Sequence, residues 1–276
     1  MTNHPTAVPP ANDRSASELT TGQVQSLTRG LSILETLAKA EGGLTLTDIG
    51  QRVQLPPSTV HRLLATLEKM GYVYQAGEQG RWYVGLQAFT VGSSFLSSRD
   101  FVAQSHPFMR RLMDQSGETV NLAILDGTEA VFVDQVQCRE MMRTIVKLGS
   151  RAPLHASGVG KAMFASLPDD QIDAILKVRG LPRITGNTIT TPETMWASIR
   201  VIRQRGWSFD DEEHAIGTRC VGAPIYDEHA ETLGAISLAG PSSRLPEERI
   251  KQLGPLVAHT AEELSRRLGG KWPHGR

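Results

Sequence analysis

Apolar residues recur along this chain at helical spacing, then at a spacing of two, and finally at helical spacing again, and the alternation divides it into elements. Leu27, Leu31, Leu34 and Leu37, with Ile33 and Ala38 beside them, predict a helix over residues 26–40 with one inward apolar face. Gly42 and Gly43 stop it. Thr45 caps a second helix with Asp48 three residues on, as in a capping box, and Leu46, Ile49 and Val53 turn inward. Pro56-Pro57 presets φ for a third helix, in which Val60, Leu63, Leu64 and Leu67 face the core while Ser58, Thr59, His61 and Arg62 occupy the first turn or so. Gly71 ends that helix, and Tyr72-Val73-Tyr74 and Trp82-Tyr83-Val84 read as two strands around a turn from Gly77 to Gly80. Three helices and a hairpin in that order spell a winged helix-turn-helix over residues 23–85. Its third helix can enter the DNA major groove, where each base pair shows its own pattern of donors and acceptors. Ser58, Thr59, His61 and Arg62 are then offered to operator DNA, and Arg81, at the base of the wing, to a phosphate.

Residues 86–100 carry Phe89, Val91, Phe95 and Leu96 among small residues and predict a linker helix. Gly92, Ser93, Ser94 and Ser97 would let another helix approach closely, which fits a dimer contact or a plain connector. A further helical pattern spans 101–117, and from Thr119 the period becomes two: residues 120–125, a turn at Asp126-Gly127, residues 130–133, then Thr144-Ile145-Val146. Helices follow over 158–167, 169–178 and 191–205, then strands over 221–226 and 233–238 and a closing amphipathic helix over 246–268. Residues 101–270 are accordingly expected to form a three-layer α+β domain with an antiparallel sheet.

A chain of 276 residues with 39% hydrophobic content is long enough for two cores, and its net charge of zero argues against a general nucleic-acid coat or adsorption to an anionic membrane. Residues 1–22, rich in Pro, Ala, Thr, Ser and Asn, are expected to be a disordered arm without a secretory apolar region. No apolar stretch approaches the length needed to span a bilayer, and two cysteines, Cys138 and Cys220, make no disulfide framework, so a reducing cytoplasm is expected. Between Gln23 and Gly85 six cations face five anions. Because phosphate contacts normally supply much of the affinity for DNA, one such module binds modestly and several copies must act together.

Two segments of the second domain invite chemistry. Ser157-Gly158-Val159-Gly160-Lys161-Ala162 has the outline of a phosphate loop, but His155 stands where the first glycine is needed and Ala162 where a Ser or Thr is. What survives is a glycine-rich helix start whose free N–H groups suit a small carboxylate. Asp210-Asp211-Glu212-Glu213-His214 has the ligand types of a metal site, yet adjacent acids on a strand point to opposite faces, which predicts a solvated loop with one inward acid and no metal. Cys220 would be a nucleophile only beside a base; otherwise it is a small buried filler. No cofactor motif, triad spacing or metal pattern is present, so no enzyme activity is expected.

Several segments read together as a signature: residues 21–31, Ser58-Thr59 with His61-Arg62-Leu63-Leu64, Val91-Gly92-Ser93-Ser94-Phe95-Leu96, 116–121, 134–138, His155-Ala156-Ser157-Gly158 with Gly160-Lys161-Ala162, 209–215 and Gly240-Pro241. In these segments, and along nearly its whole length, the chain resembles the IclR family of bacterial transcription regulators, including members that repress the glyoxylate bypass. The resemblance implies a winged helix-turn-helix, a linker helix and a GAF-like effector-binding domain, assembled as a homodimer or dimer of dimers. It implies a regulator, expected to repress, that binds double-stranded operator DNA and answers to a small oxo acid such as glyoxylate or pyruvate. By resemblance the effector lies against Gly158 and Val159 at the helix start, with Asp210, Cys220 and Ser237 as its polar wall. Thr144, Ala152, Thr218 and Ala239 stand where the resembled repressors carry Met, Leu, Leu and Ser. That leaves open a larger or differently polar acid, and with it a regulator of aromatic or other carboxylic acid catabolism.

Overall fold

The computed structural model describes residues 24–77, 80–97 and 100–273. They fall into two compact units that divide between residues 98 and 99, and the expected arm over 1–22 lies outside the described residues.

In the first unit α1 (Gln25–Ala38), α2 (Leu46–Val53) and α3 (Pro57–Lys69) precede an antiparallel hairpin of β1 (Val73–Ala76) and β2 (Arg81–Val84), followed by α4 (Leu86–Ser97). The capping box at α2 forms: the Thr45 N–H donates to Asp48 Oδ2 at 3.1 Å and the Asp48 N–H donates to Thr45 Oγ1 at 3.2 Å. The hydroxyl and N–H of Thr45 together hold the Asp48 carboxyl below its ordinary 3.8. Leu44 adds a third rung to the wing, exchanging N–H···O bonds with Trp82 at 3.1 and 2.8 Å. Ile33, Leu37, Ile49, Val60, Leu64 and Trp82 close the core.

One expectation fails here. Leu27 and Leu31 are 62% and 51% exposed, and the buried stripe of α1 is Gly30, Ile33 and Leu37. The helix carries two apolar stripes, and periodicity locates a stripe without saying what covers it. Leu86, Phe89 and Val91 of α4 are likewise exposed; side chains from residue 93 to the end of that helix are not described.

The second unit runs α5 (Asp100–Ser116), β3 (Thr119–Asp126), β4 (Glu129–Val136), β5 (Arg151–Pro153), α6 (Gly158–Ser166), α7 (Asp169–Arg179), α8 (Pro192–Arg205), β6 (Ser208–Asp211), β7 (Thr218–Tyr226), β8 (Thr232–Pro241) and α9 (Glu247–Arg267). The strands make one antiparallel sheet in the order β5-β4-β3-β8-β7-β6. Met109 and Leu112 of α5 and Val257, Ala261 and Leu264 of α9 pack on one face with Leu122, Val221 and Leu238. Val159, Met163 and Phe164 of α6, Ile172 of α7 and Ile199 of α8 pack on the other with Ala123, Ala152 and Ala235. This is the expected three-layer α+β sandwich. Thr144-Ile145-Val146 is not a strand: the place beside β4 belongs to Arg151–Pro153, and the β-branched run lies in an irregular loop with Met141, Met142, Ile145 and Leu148 exposed.

Candidate functional site

Val60 and Leu64 are fully buried under α3, and this fixes which side of the helix faces out. Ser58, His61 and Arg62 are exposed, followed at helical spacing by Ala65 and Lys69, while Thr59 is half-buried at the edge of the stripe. The helix starts on Pro56 with Pro57 in its first turn and without a capping side chain. Arg81 is half-buried and its Nη1 donates to the Gly43 carbonyl at 3.1 Å, so its guanidinium is fastened to the loop that supplies Leu44.

In the second unit, directly paired residues of neighbouring strands point their side chains to the same face of the sheet. A Cβ added to Gly222 would lie 2.5 Å from the Gly158 carbonyl, so the face bearing position 222 is the one under the start of α6. Register then builds two polar rows beneath that helix. One runs Gln135, Asn121, Ser237, Gly222, Ser208 across all five strands from β4 to β6. The next runs Thr119, Ala239, Cys220, Asp210. Toward the other end of the sheet the same face is apolar, with Ala123 and Ala235 paired.

The start of α6 is held down hard. Ser157 caps it, accepting from the Gly160 N–H at 3.1 Å, and Ser208 Oγ donates to the Gly158 carbonyl at 2.6 Å. A Cβ on Gly158 would lie 2.8 Å from Cys220 Cβ, so glycine is what lets helix and strand touch. Gly158, Val159, Asp210, Cys220 and Ser237 are thus brought together from α6, β6, β7 and β8. Asp210 and the Gly158 N–H both act on the Cys220 thiol, in opposite directions.

The electrostatics depart from those of a solvated loop with one inward acid. Asp210 is 1% exposed and accepts from the N–H groups of Glu213 and His214, at 2.8 and 3.3 Å. Glu213 is also buried and forms an ion pair with buried Lys161, leaving its Oε2 without a partner. The reading of Lys161 as a failed phosphate-loop lysine gave no hint of this, because the partner lies 52 residues away. Burial pushes Asp210 up to about 7 against the pull of Lys161. Burial, and then the charge of Asp210, raise Cys220 well above its ordinary 9.0, so it is a thiol at neutral pH and not a nucleophile. Desolvation lowers His155 and His214 below 6.5, keeping both neutral. Among the described residues no group of His, Cys, Asp and Glu has the arrangement to hold a metal ion. Of the positions where the sequence departs from its resemblance, Ala239 sits opposite Cys220, Thr218 follows on the same face of β7, Ala152 is buried against α6, and Thr144 is half-buried in the loop after β4.

Two family models match the chain: the IclR helix-turn-helix domain over residues 26–77 and the bacterial transcriptional regulator IclR C-terminal domain over residues 93–266. The acetate operon repressor of Salmonella typhimurium is 48% identical over 252 residues, which is 91% of this chain and 92% of that protein. The transcriptional repressor AllR of Escherichia coli is 42% identical over 247 residues, covering 90% of this chain and 91% of AllR. Among solved structures the Thermotoga maritima IclR superposes with a TM-score of 0.76 at 29% identity, over 90% of this chain and all of that one. No described helix is long and apolar enough to cross a membrane.

Proposed function

The chain belongs to the IclR family of bacterial transcriptional regulators and binds DNA, and from that premise we propose that it is a repressor released or tightened by a small oxo acid of the glyoxylate and pyruvate class. The observation that carries the effector reading is the pair of polar rows closed over by the Gly158 helix start in an otherwise apolar interior. Gly158 and Val159 offer N–H groups to the carboxylate, Cys220 and Ser237 donate from the sheet, and Asp210, when protonated, donates as well. Such convergence of donors suits an anion, since a buried carboxylate without them would pay several kcal/mol on the order of a lost hydrogen-bond set. The identity of the acetate operon repressor, close to half of all aligned residues, supports the class of acid.

On the DNA side, Ser58, Thr59, His61 and Arg62 read base edges from α3 and Arg81 positions the wing on a phosphate. The near-neutral charge of the first unit and the exposed apolar residues of α1 and α4 support binding by at least a dimer, with half-sites about one helical turn or a multiple apart. Operator can be selected from random duplexes by the purified chain and then footprinted with glyoxylate, pyruvate and a larger aromatic acid. A footprint unmoved by every acid would refute the sensor. Movement by the aromatic acid alone would shift the proposal to a regulator of aromatic catabolism.

A further inference from the structure

The first polar row continues past the residues assigned to the effector. Asn121 is directly opposite Ser237 on β3, and both are 2% exposed. Among the described residues neither the Ser237 hydroxyl nor the Asn121 Nδ2 has a hydrogen-bond partner. Neither atom is among the fully enclosed side-chain atoms without a partner, which among the described residues are Trp82 Nε1 and Glu213 Oε2, so each keeps accessible surface through which a ligand can meet it.

Which end of Asn121 faces the site follows from its neighbours. An amide can present either its oxygen or its nitrogen, and only its surroundings decide. Here the decision begins at Arg143, which can only donate: its Nε donates to Gln137 Oε1 at 3.0 Å. Gln137 must then turn its Nε2 the other way, onto Gln135 Oε1 at 3.2 Å. Gln135 in turn gives its Nε2 to Asn121 Oδ1 at 2.7 Å. Each amide takes its orientation from the one before it, and the last keeps its Nδ2 for a partner other than Gln135.

We propose that Asn121 is a further effector-contacting residue, donating its amide N–H to an acceptor oxygen at the end of the ligand away from Gly158, and that the one-way relay from Arg143 through Gln137 and Gln135 holds it in that orientation. The proposal rests on the oxo-acid reading of the site and sharpens it. Gly222, against Gly158, and Asn121 are two strand steps apart, about 10 Å between Cα positions. Two hydrogen bonds of about 3 Å leave about 4 Å of that span before side-chain reach is counted, which suits a ligand of about two or three carbons. The ligand class is a short acid with a carbonyl or second carboxylate oxygen at its far end. The relay starts in the loop that carries exposed Met141, Met142 and Ile145, so the arrangement of that loop and the polarity of the site are coupled.

The test uses two ligands of one shape. Oxamate carries an amide nitrogen where pyruvate carries a methyl group, so oxamate can answer either an N–H or an oxygen from Asn121, and pyruvate only an N–H. Gln135→Glu keeps the shape of the side chain but cannot donate, so Asn121 turns its nitrogen to Glu and its oxygen to the ligand. In calorimetric titrations of the full chain, the ratio of oxamate to pyruvate affinity should rise about tenfold in this variant; any uniform effect of the added charge cancels in the ratio. Arg143→Met, at an exposed and remote position, removes the source of polarity and should raise the ratio severalfold, and it decides alone if Gln135→Glu does not fold. A ratio unchanged from wild type in the folded variants overturns the role of Asn121. Failure of the wild type to bind either ligand overturns the oxo-acid reading, and this proposal with it.

Discussion

Effector affinity should fall with rising pH because of one buried group. Asp210 faces Lys161 on α6, Glu213 and His214 in the loop after β6 and Cys220 on β7, and His155 in turn acts on His214. Lys161 and Glu213 neutralise each other, Cys220 remains a thiol, and the two histidines are neutral above their lowered values. Asp210, at about 7, is therefore the group that changes charge near neutrality. A ligand carboxylate about 5 Å from an ionised Asp210 is repelled by about 3 kcal/mol at an effective dielectric of about 20. Repulsion of that size moves the titration up by about two pH units, since each unit is about 1.4 kcal/mol. Binding should take up close to one proton above neutrality, with affinity falling about tenfold per pH unit over roughly two units before flattening. Calorimetry with pyruvate from pH 6 to 9, in two buffers of different ionisation enthalpy, reads the affinity and the proton count together. Asp210→Asn, which mimics the protonated acid, should flatten the profile. A wild-type affinity constant over this range, with no proton exchanged, would refute the placement of a carboxylate beside Asp210.

The same carboxyl has a stability signature without ligand. Its folded value of about 7 lies above the unfolded 3.8, so the native state retains a proton that the unfolded chain has lost, and stability falls as pH rises from about 4 to about 7. The full effect is on the order of 4 kcal/mol, and urea denaturation should show Asp210→Asn losing this slope. On α3, Arg62→Ala should cost about 1 to 3 kcal/mol in operator affinity, concentrated at one base pair if it reads a guanine, whereas Arg81→Ala should weaken all duplexes alike and flatten the salt dependence; electrophoretic titration against operator variants separates the two. Leu64→Ala, at a fully buried position, should destabilise the first unit by about 2 to 5 kcal/mol without altering the melting of residues 100–273 if the two units unfold independently, as calorimetry would show.

Local patterns were legible where the cause is local. The capping box at Thr45 and Asp48, the Pro57 helix start, the Gly-containing wing and the period-two strands all follow from neighbours within a few residues, and they recur in the structure. The misses share a different cause. Leu27 and Leu31 are apolar at helical spacing, yet the residues that cover the inward face lie on other helices, so the buried stripe became Gly30, Ile33 and Leu37. Thr144-Ile145-Val146 has strand propensity, but the place beside β4 that it would take belongs to Arg151–Pro153. Propensity proposes an element, and tertiary partners decide whether it forms.

The candidate site shows how far resemblance and periodicity reach into a pocket. Gly158 was visible as a helix start, but the need for glycine there comes from Cys220, 62 positions along the chain, pressed against it by sheet register. Lys161 looked like the remnant of a phosphate loop, while its physical meaning is to neutralise Glu213 inside the protein, an acid expected to be solvated. That pairing in turn leaves Asp210 beside an already satisfied cation, so burial outweighs attraction and the carboxyl holds its proton close to neutrality. Asn121 carries no such signal at all: it is one polar residue in a strand, and only the direction imposed by Arg143 through two glutamines turns it into a donor. Charge state and hydrogen-bond polarity belong to networks, and the members of this one come from positions 121 to 237, assembled by a sheet whose strand order does not follow the order of the chain.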